Sequence, residues 1–175
     1  KSLGIKVTIA KNINDFKHAS KLILPGVGHF DYAMDKFTNS GMLNVVEDLV
    51  LNKNIPVLGI CVGMQMLAKK SDEGNYKGLG WLDAEVKIID INNLKQMTFL
   101  PHMGWNDVLI VKHNPLFENI NTIPRFYFLH SYYFDCNNNE DVIATTDYGN
   151  TFTCAVNFKN IFGVQFHPEK SHKYG

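Results

Sequence analysis

Apolar residues in the first half of the chain alternate between short runs typical of buried strands and longer stretches with helical spacing. The run Lys21-Leu22-Ile23-Leu24 leads into Pro25-Gly26-Val27-Gly28, which predicts a buried strand that ends in a glycine-rich loop. Between residues 30 and about 53, apolar side chains recur every three or four positions. Asn39-Ser40-Gly41 divides this stretch into two predicted helices.

A second buried strand is predicted over residues 56–60, and it leads through Cys61 into a helix predicted over 62–70. After Gly74, β-branched and aromatic residues dominate in short segments. Strands are predicted over 84–91, 105–111, 125–134, 142–146, 151–158 and 161–166, with turns at 92–93, 137–139 and 148–150. The chain therefore reads as an α/β protein whose second half is mostly strand.

Composition indicates one globular domain of 175 residues, with 45% hydrophobic and 19% charged side chains. The 17 basic and 17 acidic residues balance, so no electrostatic footprint for nucleic acid or a membrane surface is present. The longest apolar runs are far shorter than the roughly 18 residues that a membrane span needs. We therefore expect a cytoplasmic protein with no nucleic-acid or membrane partner.

The clearest candidate for chemistry is Gly59-Ile60-Cys61-Val62-Gly63, a G-x-C-x-G pattern between a predicted strand and a predicted helix. Such a nucleophile elbow pushes the thiol out of the sheet and leaves the Val62 N–H free to donate to an oxyanion. The start of the helix should also favour the thiolate form of Cys61. For this motif alone, a small buried structural cysteine is an equally good interpretation.

A second candidate is the pair formed by His167 and Glu169 in Gly163-Val164-Gln165-Phe166-His167-Pro168-Glu169. Proline keeps the residue before it extended, so the side chains of His167 and Glu169 can point the same way. An imidazole steadied by a carboxylate is the base that a thiol nucleophile needs. Both motifs end predicted parallel strands, where open α/β sheets place their sites.

The remaining reactive residue types carry weaker signals. The glycine-rich loop at Val27 and Gly28 can turn an N–H inward as a second oxyanion donor, although a plain strand-to-helix turn explains it as well. Cys136 and Cys154 lack a catalytic context and are interpreted as structural. The histidine spacing matches no compact ligand motif, so we expect no metal and no cofactor.

Taken together, these motifs resemble the class I, triad-type glutamine amidotransferase family. Leu100-Pro101-His102-Met103-Gly104-Trp105-Asn106 and Phe128-Leu129-His130-Ser131-Tyr132 are similar to glutaminase subunits that form a heterodimer with a (β/α)₈-barrel cyclase. The resemblance implies a flavodoxin-like three-layer sandwich, with a central mostly parallel sheet and an added antiparallel β-rich part. It covers nearly the whole chain.

The resemblance also implies residue roles. Cys61, His167 and Glu169 would hydrolyse L-glutamine through a thioester, with oxyanion donors at Val62 and at Val27 or Gly28. The remaining roles are implied in the same way: glutamine is bound by Gln65, Glu73, His130, Ser131 and Tyr132, and the cyclase is contacted by Trp105, Asn106, Tyr127 and Lys170. The cyclase would use the ammonia to form imidazole glycerol phosphate in histidine biosynthesis.

Three alternatives stay open at this point. A related subunit could supply ammonia for amidation of a surface sugar, a γ-glutamyl hydrolase could use the same elbow, and a docking subunit could keep the fold without turnover. Relative to the family, residues 1–175 are expected to form a single amidotransferase domain that lacks the usual first strand and last helix.

Overall fold

The fold is a mixed α/β structure, known from a computed structural model that describes residues 4–90, 99–120 and 122–175. The described ranges contain ten strands: β1 (Leu22–Gly26), β2 (Val57–Cys61), β3 (Ala84–Ile88), β4 (His102–Asp107), β5 (Leu109–Ile110), β6 (Arg125–His130), β7 (Tyr132–Cys136), β8 (Val142–Asp147), β9 (Thr151–Phe158) and β10 (Ile161–Val164). Three α-helices accompany them: α1 (Phe30–Asn39), α2 (Leu43–Glu47) and α3 (Val62–Gln65).

Three parallel strands, β1, β2 and β10, lead into the glycine-rich loop, Cys61 and the His167 segment, respectively. β2 lies between the other two, with Gly59 opposite Leu24 on one side and opposite Gly163 on the other. Their carboxyl ends consequently meet at one edge of the sheet, where Cys61 and the segment after Val164 lie side by side.

The rest of the sheet is antiparallel and forms the larger part. From β10 the order continues through β9 and β7 to β3, while β8 joins β9 and β5 joins β8. β4 and β6 form a separate antiparallel ribbon. The α/β fold class with a parallel part and an added antiparallel part is therefore confirmed, although parallel pairing among the described strands is limited to β1–β2 and β2–β10. The predicted turn at 92–93 and the end of the strand predicted to residue 91 lie outside the described residues.

The helices predicted between residues 30 and about 53 are confirmed, whereas the helix predicted over 62–70 is mostly wrong. α1 and α2 are separated at Gly41, which has a φ of +73°, and a π-helical turn over Asp48–Asn52 extends α2. The helix predicted over 62–70 stops after one turn, at Gln65. The Lys69 N–H bonds to the Ala84 carbonyl at 2.9 Å, so this segment pairs with β3 instead of continuing the helix.

Alternating residues of β2 enter different cores. Val57 packs with the buried Val46, Val50 and Met64 of the helical layer. Leu58 and Ile60 instead pack against an aromatic cluster formed by Phe126 and Phe128 of the ribbon together with Phe166. Because successive strand residues face opposite sides of a sheet, β2 is clamped between two apolar layers and its end is held rigidly. None of the helices in the described ranges is long and apolar enough to cross a membrane.

Candidate active site

Cys61 occupies a sharp corner between β2 and α3. Its backbone φ of +55° and ψ of −116° fall outside the regions that L-residues normally adopt. Strain of this kind persists only where the surroundings impose it, and here two packed layers hold β2. The corner matches the geometry that the G-x-C-x-G pattern predicts.

Gly63 allows the turn to pack against the neighbouring strand. A Cβ added to Gly63 would lie 1.8 Å from the Leu24 carbonyl oxygen, a backbone atom of β1 that cannot move aside. Gly59 is similarly close, since its Cβ would be 2.6 Å from the Gly63 carbonyl oxygen. The two glycines of the motif are therefore required by close backbone approach.

Gly63→Ala is expected to destabilise the protein by about 3 kcal/mol or more, because β1 or α3 must shift to admit the methyl group. Urea unfolding of the variant and the parent chain measures this. Gly41→Ala is the control, since a Cβ there meets nothing within 4 Å and only its φ of +73° is unfavourable. A Gly63→Ala loss no larger than the Gly41→Ala loss would contradict the steric account.

His167 and Glu169 form a direct pair beyond the end of β10. The His167 Nδ1 lies 2.8 Å from Glu169 Oε1, so the ring nitrogen on the other side is left for chemistry. His167 is 2% exposed, whereas the Glu169 side chain remains more than half exposed. The structure thus brings this predicted pair together as i and i+2 residues around Pro168.

The backbone of His167 is fixed by Ser171, a residue that the sequence interpretation missed. Ser171 is fully buried, its hydroxyl donates to the His167 carbonyl at 2.5 Å, and the same oxygen accepts the Tyr127 N–H at 3.1 Å. The His167 N–H in turn donates to the Tyr127 carbonyl at 2.9 Å. The sequence carries no signal for this role, because the burial of Ser171 and its bonds to residues 127 and 167 follow from tertiary packing.

One cavity of about 340 Å³ gathers most of the predicted site residues at the parallel strand ends. The predicted residues that line it are Val27, Gly28, Cys61, Val62, Gln65, Glu73, His130, Ser131, Tyr132, His167 and Lys170. The cavity lining does not include Glu169, which supports His167 from outside, or the predicted partner contacts Trp105, Asn106 and Tyr127. Cys61 and His167 therefore open into the same space.

The Cys61 sulfur is not yet engaged by the His167 ring. Within the described ranges its hydrogen-bond contacts are to the Leu129 carbonyl at 4.0 Å and to the Gln165 side-chain nitrogen at 3.8 Å. Catalytic hydrogen bonds are commonly long in a free enzyme and tighten when substrate arrives. A side-chain adjustment within the cavity is thus part of any thiol chemistry here.

Burial raises the pKa of the Cys61 thiol to about 11, which corrects the expectation that the helix start would favour thiolate. The Val62 N–H acts in the opposite direction but is outweighed. α3 is only four residues long, so its dipole is weak. The resting sulfur is protonated at neutral pH, and a base is needed to activate it. Burial likewise raises the pKa of Cys136 to about 12 and raises that of Cys154.

Glu73 and the glycine-rich loop are tied to each other by reciprocal bonds. Glu73 Oε2 accepts the Phe30 N–H at 2.8 Å, at the start of α1. Asp31 accepts the N–H groups of Asn75 and Tyr76 at 2.9 and 3.0 Å, which lowers the pKa of its carboxyl group. These bonds fix the position of the loop that carries Gly28 relative to the loop that carries Glu73. Asp31 was missed by the sequence interpretation.

The ring of His130 faces the protein interior. Its Nδ1 lies 2.7 Å from the Tyr132 carbonyl, and its Nε2 lies 2.9 Å from the His102 Nδ1. Burial lowers the pKa of His130 to about 3 and that of His102 to about 4, so both are neutral. Because both ring nitrogens are occupied, the predicted glutamine-binding role does not suit the imidazole of His130.

The ribbon presents an exposed apolar face near the cavity mouth. Trp105 is 41% exposed and lies opposite Tyr127, with Met103 and Leu129 exposed beside them. The Lys170 amine lies 5.8 Å from the centre of the Tyr127 ring. Three predicted partner contacts, Trp105, Tyr127 and Lys170, therefore share one surface.

Asn106 does not share that surface, because alternate strand residues face opposite sides. Its amide donates to the Asp147 carbonyl at 2.6 Å and its side-chain oxygen accepts the Asp107 N–H at 2.9 Å. The predicted partner contact through Asn106 is therefore not supported by its orientation.

The fold and this site together define a class of enzymes. The whole chain, residues 1–175, matches the family described as "Glutamine amidotransferase class-I", and the chain belongs to that family. The resemblance identified from the motifs is therefore confirmed.

Among its relatives, the chain is 51% identical over 175 residues to the imidazole glycerol phosphate synthase subunit HisH of Leptospira interrogans. It is 49% identical to the HisH subunit of Leptospira borgpetersenii, and each match covers all of this chain and 86% of the relative. A crystal structure of a glutamine amidotransferase superposes with a TM-score of 0.74 over 99% of this chain and 83% of that one. The identity to that structure is 20%, so it supports the fold alone.

Proposed function

We propose that this chain is the glutaminase subunit of an imidazole glycerol phosphate synthase, acting in the cytoplasm in histidine biosynthesis. The observation that carries the proposal is the shared cavity of Cys61 and His167, with Glu169 bonded to the far side of the imidazole. The named relatives, at 49–51% identity, support the particular synthase.

In the first half of the reaction the Cys61 sulfur attacks the side-chain amide carbon of glutamine and forms a carbon–sulfur bond. His167 removes the thiol proton and passes it to the leaving nitrogen, so the carbon–nitrogen bond breaks and ammonia departs. The product is a γ-glutamyl thioester on Cys61. Glu169 holds the ring orientation and stabilises the imidazolium.

In the second half, water attacks the thioester carbon while His167 takes a proton from the water. The carbon–sulfur bond breaks, glutamate leaves, and the proton returns to the Cys61 sulfur. The oxyanion of each tetrahedral species accepts a hydrogen bond from the Val62 N–H. The loop at Val27 and Gly28 lines the same cavity and supplies the second donor.

Glutamine binds in the remaining part of the cavity. Glu73 offers a carboxylate for the substrate ammonium group, and Lys170, which also lines the cavity, offers a cation for the substrate carboxylate. Gln65, Ser131 and Tyr132 line the same cavity. The ring of His130 does not belong to this set, because both of its nitrogens are hydrogen-bonded within the protein.

The exposed face of the ribbon is the proposed docking surface for the (β/α)₈-barrel cyclase that receives the ammonia. Trp105 and Tyr127 are the large aromatic side chains of the kind that anchor interfaces. Leu129 belongs both to this face and to the cavity lining. A partner seated here would cover the cavity and keep ammonia from solvent.

The experiment measures glutamate release from glutamine by the full chain alone, and by the chain with its barrel partner and the partner's nucleotide ligand. We expect release in the complex to exceed release by the free chain at least about tenfold, because the resting Cys61 is protonated and not engaged by His167. The control is Lys53→Ala, an exposed residue ion-paired with Asp48 and outside both the cavity and the ribbon, which should leave release in the complex unchanged.

Other results would exclude the proposal in distinct ways. Release by the free chain from γ-glutamyl peptides would indicate a hydrolase. A stable complex without any glutamate release would indicate a docking subunit. Release with a partner that amidates a sugar, and none with the cyclase, would indicate the other ammonia acceptor.

A further inference from the structure

A buried glutamine beside the nucleophile has no role in the chemistry described so far. Gln165 is 0% exposed and follows directly after β10, two residues before His167. Its Nε2 atom lies 3.8 Å from the Cys61 sulfur, and its Oε1 atom lies 3.0 Å from Gln65 Nε2. A buried amide is costly unless both of its ends are hydrogen-bonded, so the contacts of Gln165 indicate what it does.

The direction of these amides follows from a single backbone carbonyl. The Tyr132 oxygen can only accept, and it receives Gln65 Nε2 at 3.3 Å and His130 Nδ1 at 2.7 Å. The nitrogen end of Gln65 must therefore face Tyr132 and Gln165. The oxygen end of Gln165 must then face Gln65, which leaves its N–H group pointing at the sulfur.

The histidine pair keeps the Tyr132 carbonyl in place. His130 is neutral, and a neutral ring has one donor and one acceptor nitrogen. Because Nδ1 donates to Tyr132, Nε2 must accept from His102 Nδ1, at 2.9 Å. If the Gln165 amide were reversed, its NH₂ group would face the NH₂ group of Gln65, and its oxygen would face the Cys61 sulfur.

We propose that Gln165 is a hydrogen-bond donor to the Cys61 sulfur that stabilises its thiolate, with its orientation imposed by the Tyr132 carbonyl through Gln65. This deepens the proposed function and rests on it for the glutaminase role. A contact of 3.8 Å to a neutral thiol is weak. When the sulfur ionises it becomes a charged acceptor, and hydrogen bonds to charged groups are shorter and stronger.

Other charged groups near the sulfur are independent of Gln165. Glu73 and Glu169 disfavour the thiolate, whereas Lys170 favours it, and His167 faces the same cavity. None of these residues is hydrogen-bonded to the Gln165 side chain. Replacing Gln165 by an uncharged residue therefore tests one contact while the charges around Cys61 stay the same.

The test follows alkylation of Cys61 by iodoacetamide from about pH 6 to about pH 10, with the modified peptide quantified by mass spectrometry. Gln165→Met keeps the volume and removes the N–H group, and Gln165→Glu keeps the shape and places oxygen at the sulfur. We expect alkylation near neutral pH to slow about tenfold in the first variant and more in the second. In both variants, a given alkylation rate should be reached at a higher pH than in the parent.

The matched control is Thr146→Val, which removes a buried hydrogen bond of 2.7 Å to the Asp107 carbonyl, away from the cavity. This variant should lose stability but keep the parent alkylation profile. Should Gln165→Met not fold, Gln65→Leu frees the Gln165 amide to rotate, and a smaller slowing is expected. Alkylation within twofold of the parent in the folded variants would overturn the proposal.

The readout separates this proposal from the proposed function, since alkylation needs no glutamine. A Gln165-dependent alkylation profile in a chain that never releases glutamate would reject the glutaminase and retain the contact. Where glutaminase activity is present, kcat should fall at least about fivefold in Gln165→Met while KM stays within twofold. An effect on KM alone would overturn the role at the sulfur.

Discussion

Replacing Cys61 with alanine is expected to lower kcat for glutamate release in the complex by at least about 10⁴-fold. Without the sulfur no thioester forms, and neither His167 nor a bound water offers an equivalent nucleophile. The measurement is glutamate release at saturating glutamine. The backbone corner at φ +55° is imposed by Gly59, Gly63 and the strands, so alanine keeps the same turn.

Cys136→Ala provides the control for that loss. Cys136 is a free, half-buried thiol at the end of β7 and does not line the cavity, so its removal should leave kcat within about twofold. A glutamine-analogue electrophile should likewise modify Cys61 and spare Cys136 and Cys154. Peptide mapping that finds the label on either of the other cysteines would refute the assignment of the nucleophile.

The elements that the sequence predicts correctly are those in which local pattern and burial agree. Strands β2 and β10 are apolar runs bounded by turn residues, and both lie where expected within a few residues. The helix expected over 62–70 fails because Lys69 and the residues after it bond to the edge of β3, a partner distant in the chain. Helical composition cannot reveal a competing tertiary hydrogen bond.

The same distinction applies to the site. Cys61, His167 and Glu169 follow from strand ends and from proline geometry, which are local properties. Gln165 stands beside the nucleophile only because β2 and β10 are in a particular register, and the sequence carries no sign of that register. For His130 and Asn106, the family resemblance implied contact with a ligand or a partner, whereas strand alternation turns both side chains toward other groups.

His167→Asn is expected to reduce kcat/KM by about 10³-fold or more, and to change its pH dependence. Burial raises the Cys61 pKa to about 11, so near pH 8 only about one molecule in a thousand carries a thiolate unless a base removes the proton. The variant must use that fraction. Its residual rate should therefore rise about tenfold per pH unit toward pH 11. The rate of the parent should not follow the free thiolate fraction in this way, because His167 deprotonates Cys61 there.

His113→Asn, an exposed change outside the cavity, should leave both the rate and the pH profile unaltered. Glu169→Gln leaves the His167 ring in place but weakens the contact that orients it. We expect a smaller loss of kcat/KM than for His167→Asn. A His167→Asn variant within tenfold of the parent would mean that another group deprotonates Cys61. A large loss with a flat pH profile would mean that His167 holds the cavity in shape, because only a missing base makes the rate follow the free thiolate.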